Sequence, residues 1–265
     1  TSFFAFFFRS SSSFKEGLNI RDFIANDGLK DVFRAALNVV VFTLGVELVG
    51  ALFIYSSIIE NPAIDNDFYF SIFHSISAFC NAGFDILGTA DNAFPSLTGY
   101  SGNILINVVI MLLIITGGIG FLTWDDIYRN KMNFKRYRMQ SKIILMTTVC
   151  LIVFPAVFFF ACDLKNLPAG ERLLAAMFQS VTTRTAGFNT IDISEMSEAS
   201  KAVMILLMLI GGSPGSTAGG MKTTTFTVLI LNAIATFRSQ ENAGAFGRRL
   251  EYHVIKNAAT IAMLY

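Results

Sequence analysis

Charged residues are scarce in this chain: Asp, Glu, Lys and Arg together make up 15% of its 265 residues. A soluble globular domain contains about 25% charged residues, so this sequence has too few of them to cover a surface that faces water. Hydrophobic residues account for 53% of the chain, the mean hydropathy is +0.56, and Phe alone occurs 27 times. The composition therefore argues against a soluble domain and indicates an integral membrane protein.

Four apolar segments separated by polar loops are candidate membrane spans. A hydrocarbon core about 30 Å thick requires about 20 residues of helix, and the first segment has 25 residues with Glu47 as its only charge. The second and third segments carry no charge, and the fourth is interrupted by a glycine-rich stretch. The four segments are residues 35–59, 103–123, 143–162 and 202–237.

The distribution of basic residues predicts the orientation in the membrane. Residues 60–100 contain five acidic residues and no Lys or Arg, whereas the loops at 9–34, 125–142 and 238–256 are rich in Lys and Arg. Cytoplasmic loops of membrane proteins carry the excess of basic residues. We therefore expect a multi-pass protein of the cell membrane whose basic loops are cytoplasmic and whose residues 60–100 are external.

Residue types that build catalytic or metal sites are also few. The chain has three cysteines without a pairing or metal-binding spacing, and two histidines, His74 and His253. These histidines lie on opposite predicted sides of the membrane, so they form no paired acid–base or metal site. We therefore expect no enzymatic activity.

A short motif occurs twice on the predicted external side. Residues 75–85 read SISAFCNAGFD and residues 179–192 read QSVTTRTAGFNTID, and their shared glycines, Gly83 and Gly187, lie 104 residues apart. Each copy follows an apolar run that is too short to span and lies between two spans. Non-helical backbone at membrane depth must be buried in protein or line a water-filled path. Span, re-entrant loop and span, present twice, is the arrangement of a cation-channel pore.

The residues around both glycines suit a filter made of backbone carbonyls. Such a filter replaces the hydration shell of an ion with carbonyl oxygens, and glycine permits the backbone angles that orient them. The C-terminal end of the short helix before each loop carries a partial negative charge that favours a cation. Two ordinary external loops are the alternative, and the duplication favours the filter. The predicted filter residues are Cys80, Asn81, Ala82, Gly83, Thr183, Arg184, Thr185, Ala186 and Gly187, with the ion at the carbonyls of Asn81, Ala82, Thr185 and Ala186.

Two charged residues lie where they need a partner. Arg184 would repel a cation inside the filter, so we expect its guanidinium to point away from the axis and to pair with Asp192 or Glu195. Glu47, near the middle of the first span, is costly in lipid, so we expect it to face the interior of the bundle with a partner. A structural role for Glu47 is favoured over ion binding.

The fourth apolar segment cannot be one regular helix, because five glycines and Pro214 occur within residues 211–220. We predict a helix, an irregular loop at membrane depth that limits flux without choosing between ions, and a second helix. A nucleotide-binding P-loop is a weak alternative, because Met221 stands where that motif has lysine. The predicted gate-loop residues are Gly211, Gly212, Ser213, Pro214, Gly215, Ser216, Thr217, Ala218, Gly219, Gly220, Lys222 and Thr223.

Three stretches together resemble the Trk/Ktr/HKT superfamily of potassium transporters, most closely its Ktr-type membrane subunit: they read SAFCNAGFD, SVTTRTAGFNT and GGSPGSTAGGMKTTTF. The resemblance covers essentially the whole chain. It implies a pore of four span–loop–span repeats, with Gly83 and Gly187 as the filter glycines of the second and third repeats. Residues 211–225 would be the gate below the filter, and we expect the rest of the first and fourth repeats to lie outside this sequence.

The resemblance also implies a function and partners. It predicts K⁺ uptake across the membrane, with K⁺ as the transported ion, Na⁺ as a candidate activator and no covalent cofactor. Similar subunits form homodimers in membrane lipid on a cytoplasmic ring of nucleotide-binding regulators, and nucleic acid is not a partner. A secondary cation or solute transporter with a discontinuous-helix binding site is the alternative. That alternative predicts inverted repeats, whereas both motifs here lie on one side.

The sequence therefore predicts an all-α membrane protein of repeated span–pore loop–span units, with re-entrant pore helices and one interrupted inner helix. The predicted regions are residues 1–34 (end of the first repeat's inner helix and cytoplasmic linker), 35–124 (second repeat), 125–141 (cytoplasmic basic loop), 142–237 (third repeat, with its gate loop at 211–225) and 238–265 (cytoplasmic linker and start of the fourth repeat).

Overall fold

The structure is a computed structural model that describes residues 29–59, 66–89, 95–131, 133–240 and 242–265. The predicted inner-helix end and most of the linker that follows it therefore lie outside the described residues. The chain divides into two compact units, residues 1–46 and 47–265. All predicted filter and gate residues belong to the second unit.

The described part of the chain contains nine α-helices, three short 3-10 helices and one two-stranded hairpin. The 3-10 helices are Thr98–Tyr100, Phe134–Arg136 and Ile193–Glu195. The other elements are α1 (Leu29–Ile58), α2 (Asp67–Phe79), α3 (Ile104–Ile119), α4 (Phe121–Asn130), α5 (Met139–Cys162), α6 (Ala169–Thr182), α7 (Glu198–Leu209), α8 (Thr223–Phe237), the antiparallel strands β1 (Gly244–Ala245) and β2 (Arg248–Arg249), and α9 (Tyr252–Leu264).

Helices α1 and α5 are long and apolar enough to cross a membrane. The apolar part of α1, Phe33–Ile58, has 26 residues with a mean hydropathy of 2.2, and α5 has 24 residues with a mean hydropathy of 2.7. Helices α3 and α4 pass the same test together, as a pair bent by 94°. Large apolar side chains such as Leu48 and Phe154 are exposed on the long helices, as expected of surfaces that face lipid.

The two predicted repeats share one plan. In each, a long outer helix, α1 or α5, precedes a predicted pore helix, α2 or α6, and the predicted filter residues follow that helix directly. The pore helices have 13 and 14 residues, so they are too short to cross a bilayer. An inner helix, α3 or α7, completes each repeat in the predicted order.

A serine on each pore helix binds the outer helix of its own repeat. Ser75 Oγ donates a hydrogen bond to the Glu47 carbonyl at 2.6 Å, and Ser180 Oγ donates one to the Ile152 carbonyl at 2.6 Å. Gly50 lets α1 and α2 approach, because a Cβ there would lie 2.6 Å from Ser75 Oγ. Both pore helices are therefore fixed to their outer helices by the same kind of bond.

Both inner helices are broken. Helix α7 ends at Leu209 and α8 begins at Thr223, so the interruption predicted at residues 211–225 is observed at 210–222. The last three predicted loop residues form the first turn of α8 instead. A second break separates α3 from α4 at Gly120, where φ is +90°. This second break was not predicted, although the sequence GGIG marks it.

Asp126 organises the connection between α4 and α5. Its Oδ2 accepts a hydrogen bond from the backbone N–H of Arg138 at 2.8 Å, and its Oδ1 accepts one from Asn130 Nδ2 at 2.7 Å. Burial acts to raise the pKa of this carboxyl group, but hydrogen bonds from Ser141, Arg138 and Asn130 outweigh it and lower the pKa below its ordinary value. The predicted cytoplasmic basic loop is thus built around one buried carboxylate.

Candidate functional site

In both filter loops, residues with positive φ stand on either side of an alanine whose φ is not positive. Asn81 and Gly83 have φ values of +52° and +69°, and Thr185 and Gly187 have φ values of +70° and +96°, whereas the alanine between the residues of each pair is not left-handed. Positive φ is rare for a β-branched residue such as Thr185, and strained backbone of this kind concentrates at functional sites.

Backbone N–H groups of both loops point back at the pore helices. The N–H of Ala82 donates to the Ser77 carbonyl at 2.9 Å, and the N–H of Ala186 donates to the Thr182 carbonyl at 2.9 Å. Because the C=O and N–H of a trans peptide point in opposite directions, the carbonyls of Asn81 and Thr185, which belong to the same peptide groups, point away from these helix carbonyls.

The hydroxyls of Ser77 and Thr182 hold the end of each loop. Ser77 Oγ donates to the Phe84 carbonyl at 2.8 Å, and Thr182 Oγ1 donates to the Phe188 carbonyl at 2.6 Å. The hydroxyl residue precedes the loop glycine by six positions in the first copy and by five in the second. The stretch from the hydroxyl residue to the glycine is therefore one residue longer in the first copy, although Ser77 lies within α2 and Thr182 is the last residue of α6.

The predicted ion ligands are the carbonyl oxygens of Asn81, Ala82, Thr185 and Ala186. None of these four oxygens accepts a hydrogen bond from a described residue. Within the described ranges there is also no group of three or more His, Cys, Asp or Glu side chains that could hold a metal ion. Four carbonyls without a described hydrogen-bond donor therefore lie shortly after the C-terminal ends of α2 and α6.

The two filter loops touch at their glycines. A Cβ at Gly83 would lie 2.2 Å from the Ala186 carbonyl oxygen and 2.7 Å from Gly187 Cα. A Cβ at Gly187 would lie 3.3 Å from Gly83 Cα. Space excludes a side chain at Gly83, and the positive φ of both glycines favours glycine at both positions.

Two further predicted filter residues, Cys80 and Thr183, end the pore helices. They are the C-cap residues of α2 and α6. Cys80 is an exposed free thiol, whereas Thr183 is buried and its hydroxyl donates to the Ser180 carbonyl at 3.0 Å. Both residues thus connect a pore helix to its loop.

The prediction that Arg184 pairs with Asp192 or Glu195 is wrong. Arg184 is only 3% exposed, its Nε has no hydrogen-bond partner, and no described carboxylate lies within 4.0 Å of its guanidinium. Asp192 instead accepts a hydrogen bond from the Ser194 N–H at 2.8 Å, and Glu195 is exposed. Sequence proximity misled the prediction, because the turn after the loop directs both carboxylates to the surface.

Glu47 is buried, as predicted for a residue that faces the interior, with 8% of its surface exposed. No described residue forms an ion pair with its carboxylate. No role was predicted for His74, yet it lies against the second loop: its Nδ1 is 2.8 Å from the Phe70 carbonyl of the same helix, and its ring centroid is 6.2 Å from that of Phe188. It is fully buried behind the second loop.

The predicted gate loop closes on itself through backbone bonds. The N–H of Gly211 donates to the Met221 carbonyl at 3.0 Å, and the N–H of Gly212 donates to the Gly219 carbonyl at 3.2 Å. A Cβ at Gly211 would lie 1.6 Å from the Gly219 carbonyl oxygen, so only glycine allows this approach. Lys222 Nζ binds the Ala218 carbonyl at 2.9 Å, so the charge expected near the ion path is held within the loop.

The broken helix of the other repeat receives the gate loop. The N–H of Ser213 donates to the Gly118 carbonyl at 3.0 Å, and the N–H of Phe121 donates to the Gly215 carbonyl at 3.2 Å. The break at Gly120 frees these backbone groups from the helical hydrogen-bond pattern. The loop therefore has fixed hydrogen-bond partners. The sequence predicted an irregular loop here but not these partners.

The gate loop also contacts both filter loops. Thr217 Oγ1 lies 2.8 Å from the Phe79 carbonyl and 2.9 Å from Asn81 Nδ2. The N–H of Gly219 donates to Thr185 Oγ1 at 3.0 Å. Filter and gate residues, predicted as two separate features, thus form one hydrogen-bonded site.

Comparison with known proteins gave consistent matches along nearly all of the chain. A family model described as "TrkH: Cation transport protein" matches residues 2–262. The chain is 34% identical over 252 residues to the "Potassium/sodium uptake protein NtpJ" of Enterococcus hirae, a match that covers 93% of this chain and 53% of that protein. It is 32% identical over 255 residues to the "Ktr system potassium uptake protein B" of Bacillus subtilis, covering 94% and 56% respectively.

A solved structure supports the fold. The crystal structure of the potassium transporter TrkH from Vibrio parahaemolyticus superposes with a TM-score of 0.72 at 18% identity, covering 88% of this chain and 48% of that one. The chain spans about half the length of the curated relatives it matches.

Proposed function

The chain belongs to the TrkH family of cation transport proteins, and on that premise we propose that it forms part of a path for K⁺ uptake across the cell membrane. The family is one of transporters and not of enzymes. Relatives at 34% and 32% identity are named for potassium or potassium and sodium uptake. The long apolar helices place the chain in a membrane.

The observation that carries the proposal is the duplicated filter backbone. Two loops with alternating hand follow two short helices, and their unpaired carbonyls belong to Asn81, Ala82, Thr185 and Ala186. In our proposal these oxygens replace the hydration shell of K⁺, while the helix C-termini add a favourable field. Gly83 and Gly187 provide the backbone conformation that the carbonyls need.

Residues 211–222 then act as the gate in this proposal. They form an irregular backbone between α7 and α8 and contact the residues directly after both pore helices. Irregular backbone at membrane depth requires a protein or water-filled environment, which the inner end of a pore supplies. Movement of α7 or α8 would transmit directly to this loop.

Orientation, repeats and assembly remain part of the proposal. The basic loops face the cytoplasm, residues 35–124 and 142–237 form the second and third repeats, and residues 238–265 begin the fourth. A homodimer in the lipid membrane, on a cytoplasmic ring of nucleotide-binding regulators, agrees with the resemblance to Ktr-type subunits. Na⁺ is a candidate activator in the same arrangement.

A secondary transporter is the second candidate, and the two helix breaks favour it. The interruptions at Gly120 and at residues 210–222 lie against each other, as in sites built from discontinuous helices. The two repeats, however, run in the same order and orientation along the chain, whereas that class of site is commonly built from inverted repeats. The breaks alone therefore support it less well than the filter backbone supports a pore.

The test is K⁺ uptake by the full-length protein in bacteria that lack their own K⁺ uptake systems. Gly187→Ser adds a side chain at φ +96° beside the other loop, at a backbone cost of about 1–3 kcal/mol. We expect weaker K⁺ uptake or weaker exclusion of Na⁺ at normal expression. Gly102→Ser is the matched control, because a Cβ at Gly102 meets nothing within 4 Å. Wild-type K⁺ affinity and Na⁺ exclusion in Gly187→Ser would reject the filter.

A further inference from the structure

Thr217 connects the gate loop to the first pore helix and its filter loop. Its hydroxyl donates to the carbonyl of Phe79, the last residue of α2, at 2.8 Å, and accepts a hydrogen bond from Asn81 Nδ2 at 2.9 Å. Its backbone N–H donates to the Gly117 carbonyl at 3.2 Å. One residue of the gate thus binds the end of a pore helix, a filter residue and the broken inner helix.

The surroundings of this junction are built to hold it. A Cβ at Gly117 would lie 2.0 Å from the Phe79 carbonyl oxygen, 2.7 Å from Thr217 Oγ1 and 3.1 Å from Asn81 Nδ2. Glycine therefore leaves the space in which all three groups meet. Asn81 is buried and has a φ of +52°, so its hydrogen bond to Thr217 helps to maintain a backbone conformation that few residues adopt.

The gate loop binds the second filter loop through a backbone N–H group and not through the hydroxyl of Thr217. The backbone N–H of Gly219 donates to Thr185 Oγ1 at 3.0 Å. Thr185 is the left-handed residue of that loop, with a φ of +70°, and so holds the position that Asn81 holds in the first loop. The gate therefore binds the strained residue of each filter loop.

We propose that the gate loop also sets ion preference, with Thr217 and Thr185 as positioning residues for the filter. The proposal rests on the function proposed above. With the gate in place, Thr217 and Gly219 fix the two left-handed residues that orient the carbonyls of both filter loops. When the gate moves, Asn81 Nδ2 and the Phe79 carbonyl lose their partner, and the filter relaxes. The sequence predicted a gate loop that limits flux without choosing between ions. These contacts instead make the gate loop a support of the filter.

Reciprocity follows from this coupling. If the arrangement of the gate changes the affinity of the filter for K⁺ relative to Na⁺, then the ion in the filter must change the stability of the gate by the same factor. Couplings of this kind typically amount to about 5- to 150-fold. Gate protection in the two ions therefore reports the equilibrium coupling, and the flux ratio reports whether its loss changes ion preference.

The first measurement is the ratio of K⁺ to Na⁺ flux through the full-length protein in proteoliposomes. Thr217→Val keeps the size of the side chain but removes its hydroxyl, and we expect the ratio to fall about fivefold or more. Thr217→Ser keeps the hydroxyl and should retain most of the preference. Thr236→Val makes the same change at an exposed threonine of α8, whose hydroxyl donates to the Asn232 carbonyl of its own helix at 2.9 Å, and it should leave the ratio at the wild-type value.

The second measurement is hydrogen exchange of the wild-type gate loop in K⁺ and in Na⁺. The N–H groups of Thr217 and Gly219 report the contacts directly, because they bind the Gly117 carbonyl and Thr185 Oγ1. We expect exchange several-fold slower in K⁺ than in Na⁺. This readout does not depend on the folding of any variant.

The outcomes separate the two proposals. Wild-type protein without K⁺ flux would overturn the proposed function and this inference with it. Wild-type K⁺ flux, combined with an unchanged ratio in Thr217→Val or with equal hydrogen exchange in K⁺ and Na⁺, would overturn the inference alone. A lower ratio in Thr217→Val, its recovery in Thr217→Ser and ion-dependent exchange would support it.

Discussion

Gly83 and Gly187, 104 positions apart in the sequence, meet where the two filter loops touch: a Cβ at Gly187 would lie 3.3 Å from Gly83 Cα. Both residues have positive φ, and each lies two positions after another left-handed residue. This symmetry relates two loops that differ by one residue in length, which indicates that the backbone conformation itself is the shared feature.

Gly83→Ala should reduce K⁺ uptake strongly, although it adds only one methyl group. The added Cβ would lie 2.2 Å from the Ala186 carbonyl oxygen, at a φ of +69°, so both loops must shift. We expect K⁺ uptake to fall at least tenfold with normal membrane insertion, corresponding to about 1.4 kcal/mol or more. Gly99→Ala, where a Cβ meets nothing within 4 Å, is the control. Uptake equal to wild type in Gly83→Ala would contradict the assignment of this loop.

Gly117→Ala tests the space around the gate junction. The new Cβ would lie 2.0 Å from the Phe79 carbonyl oxygen and 2.7 Å from Thr217 Oγ1, so the gate loop must move away from the pore helix. We expect a lower ratio of K⁺ to Na⁺ flux, as for Thr217→Val. Gly118→Ala is a matched control one residue further on, since a Cβ there meets nothing within 4 Å. Equal ratios in the two alanine variants would show that the junction has no role in ion preference.

Arg184→Gln should reduce K⁺ uptake. Arg184 is buried and forms no ion pair with any described carboxylate. Arg184→Gln therefore shortens a packed side chain as well as removing its charge, and we expect the second loop to loosen. Arg129→Gln is the control, because its side chain is 69% exposed in a surface ion pair, which contributes about 0–1 kcal/mol. Increased cation flux in Arg184→Gln would instead identify the guanidinium as a barrier in the ion path.

Asp126 should contribute to stability in a pH-dependent way. Its pKa is lowered in the folded protein, so its ionised form stabilises the fold above the unfolded pKa of about 3.9. That contribution is lost as the pH falls through the lower pKa of the folded state. Asp126→Ala should lower the free energy of unfolding at neutral pH by about 2 kcal/mol and flatten the acid side of the stability profile. Thermal unfolding in detergent between pH 3 and 7 checks this; an unchanged profile would contradict it.

The sequence predicted the membrane class and the order of elements well, and the family match and the solved structure confirm the fold class. The reason is that these features are local. The apolar character of α1 and α5 is present in their own residues, and the glycine-rich stretch after Leu209 breaks a helix wherever it lies. The helix interruption predicted at residues 211–225 is therefore observed at 210–222.

Features that depend on contacts between distant segments were not predicted. The partner of Arg184 was assigned by proximity along the chain, but the turn at Asp192 directs that carboxylate to its own backbone. The break at Gly120 was overlooked, because a helix tolerates single glycines unless another segment forms hydrogen bonds to their carbonyls. Here the backbone N–H groups of Ser213 and Thr217 donate to glycine carbonyls just before the break. The junction of Thr217 with Phe79 joins residues 138 positions apart, which no local pattern reveals.

Ion binding by the loop carbonyls can be observed directly. The measurement is anomalous diffraction from crystals of the full-length protein grown in Rb⁺, which substitutes for K⁺ and scatters anomalously. The proposed function predicts a peak in coordination range of the carbonyl oxygens of Asn81, Ala82, Thr185 and Ala186, and its loss when Rb⁺ is replaced by Na⁺. Rb⁺ bound only at the helix breaks around Gly120 and residues 210–222, with none at these four carbonyls, would contradict the filter and favour a transporter site between the broken helices.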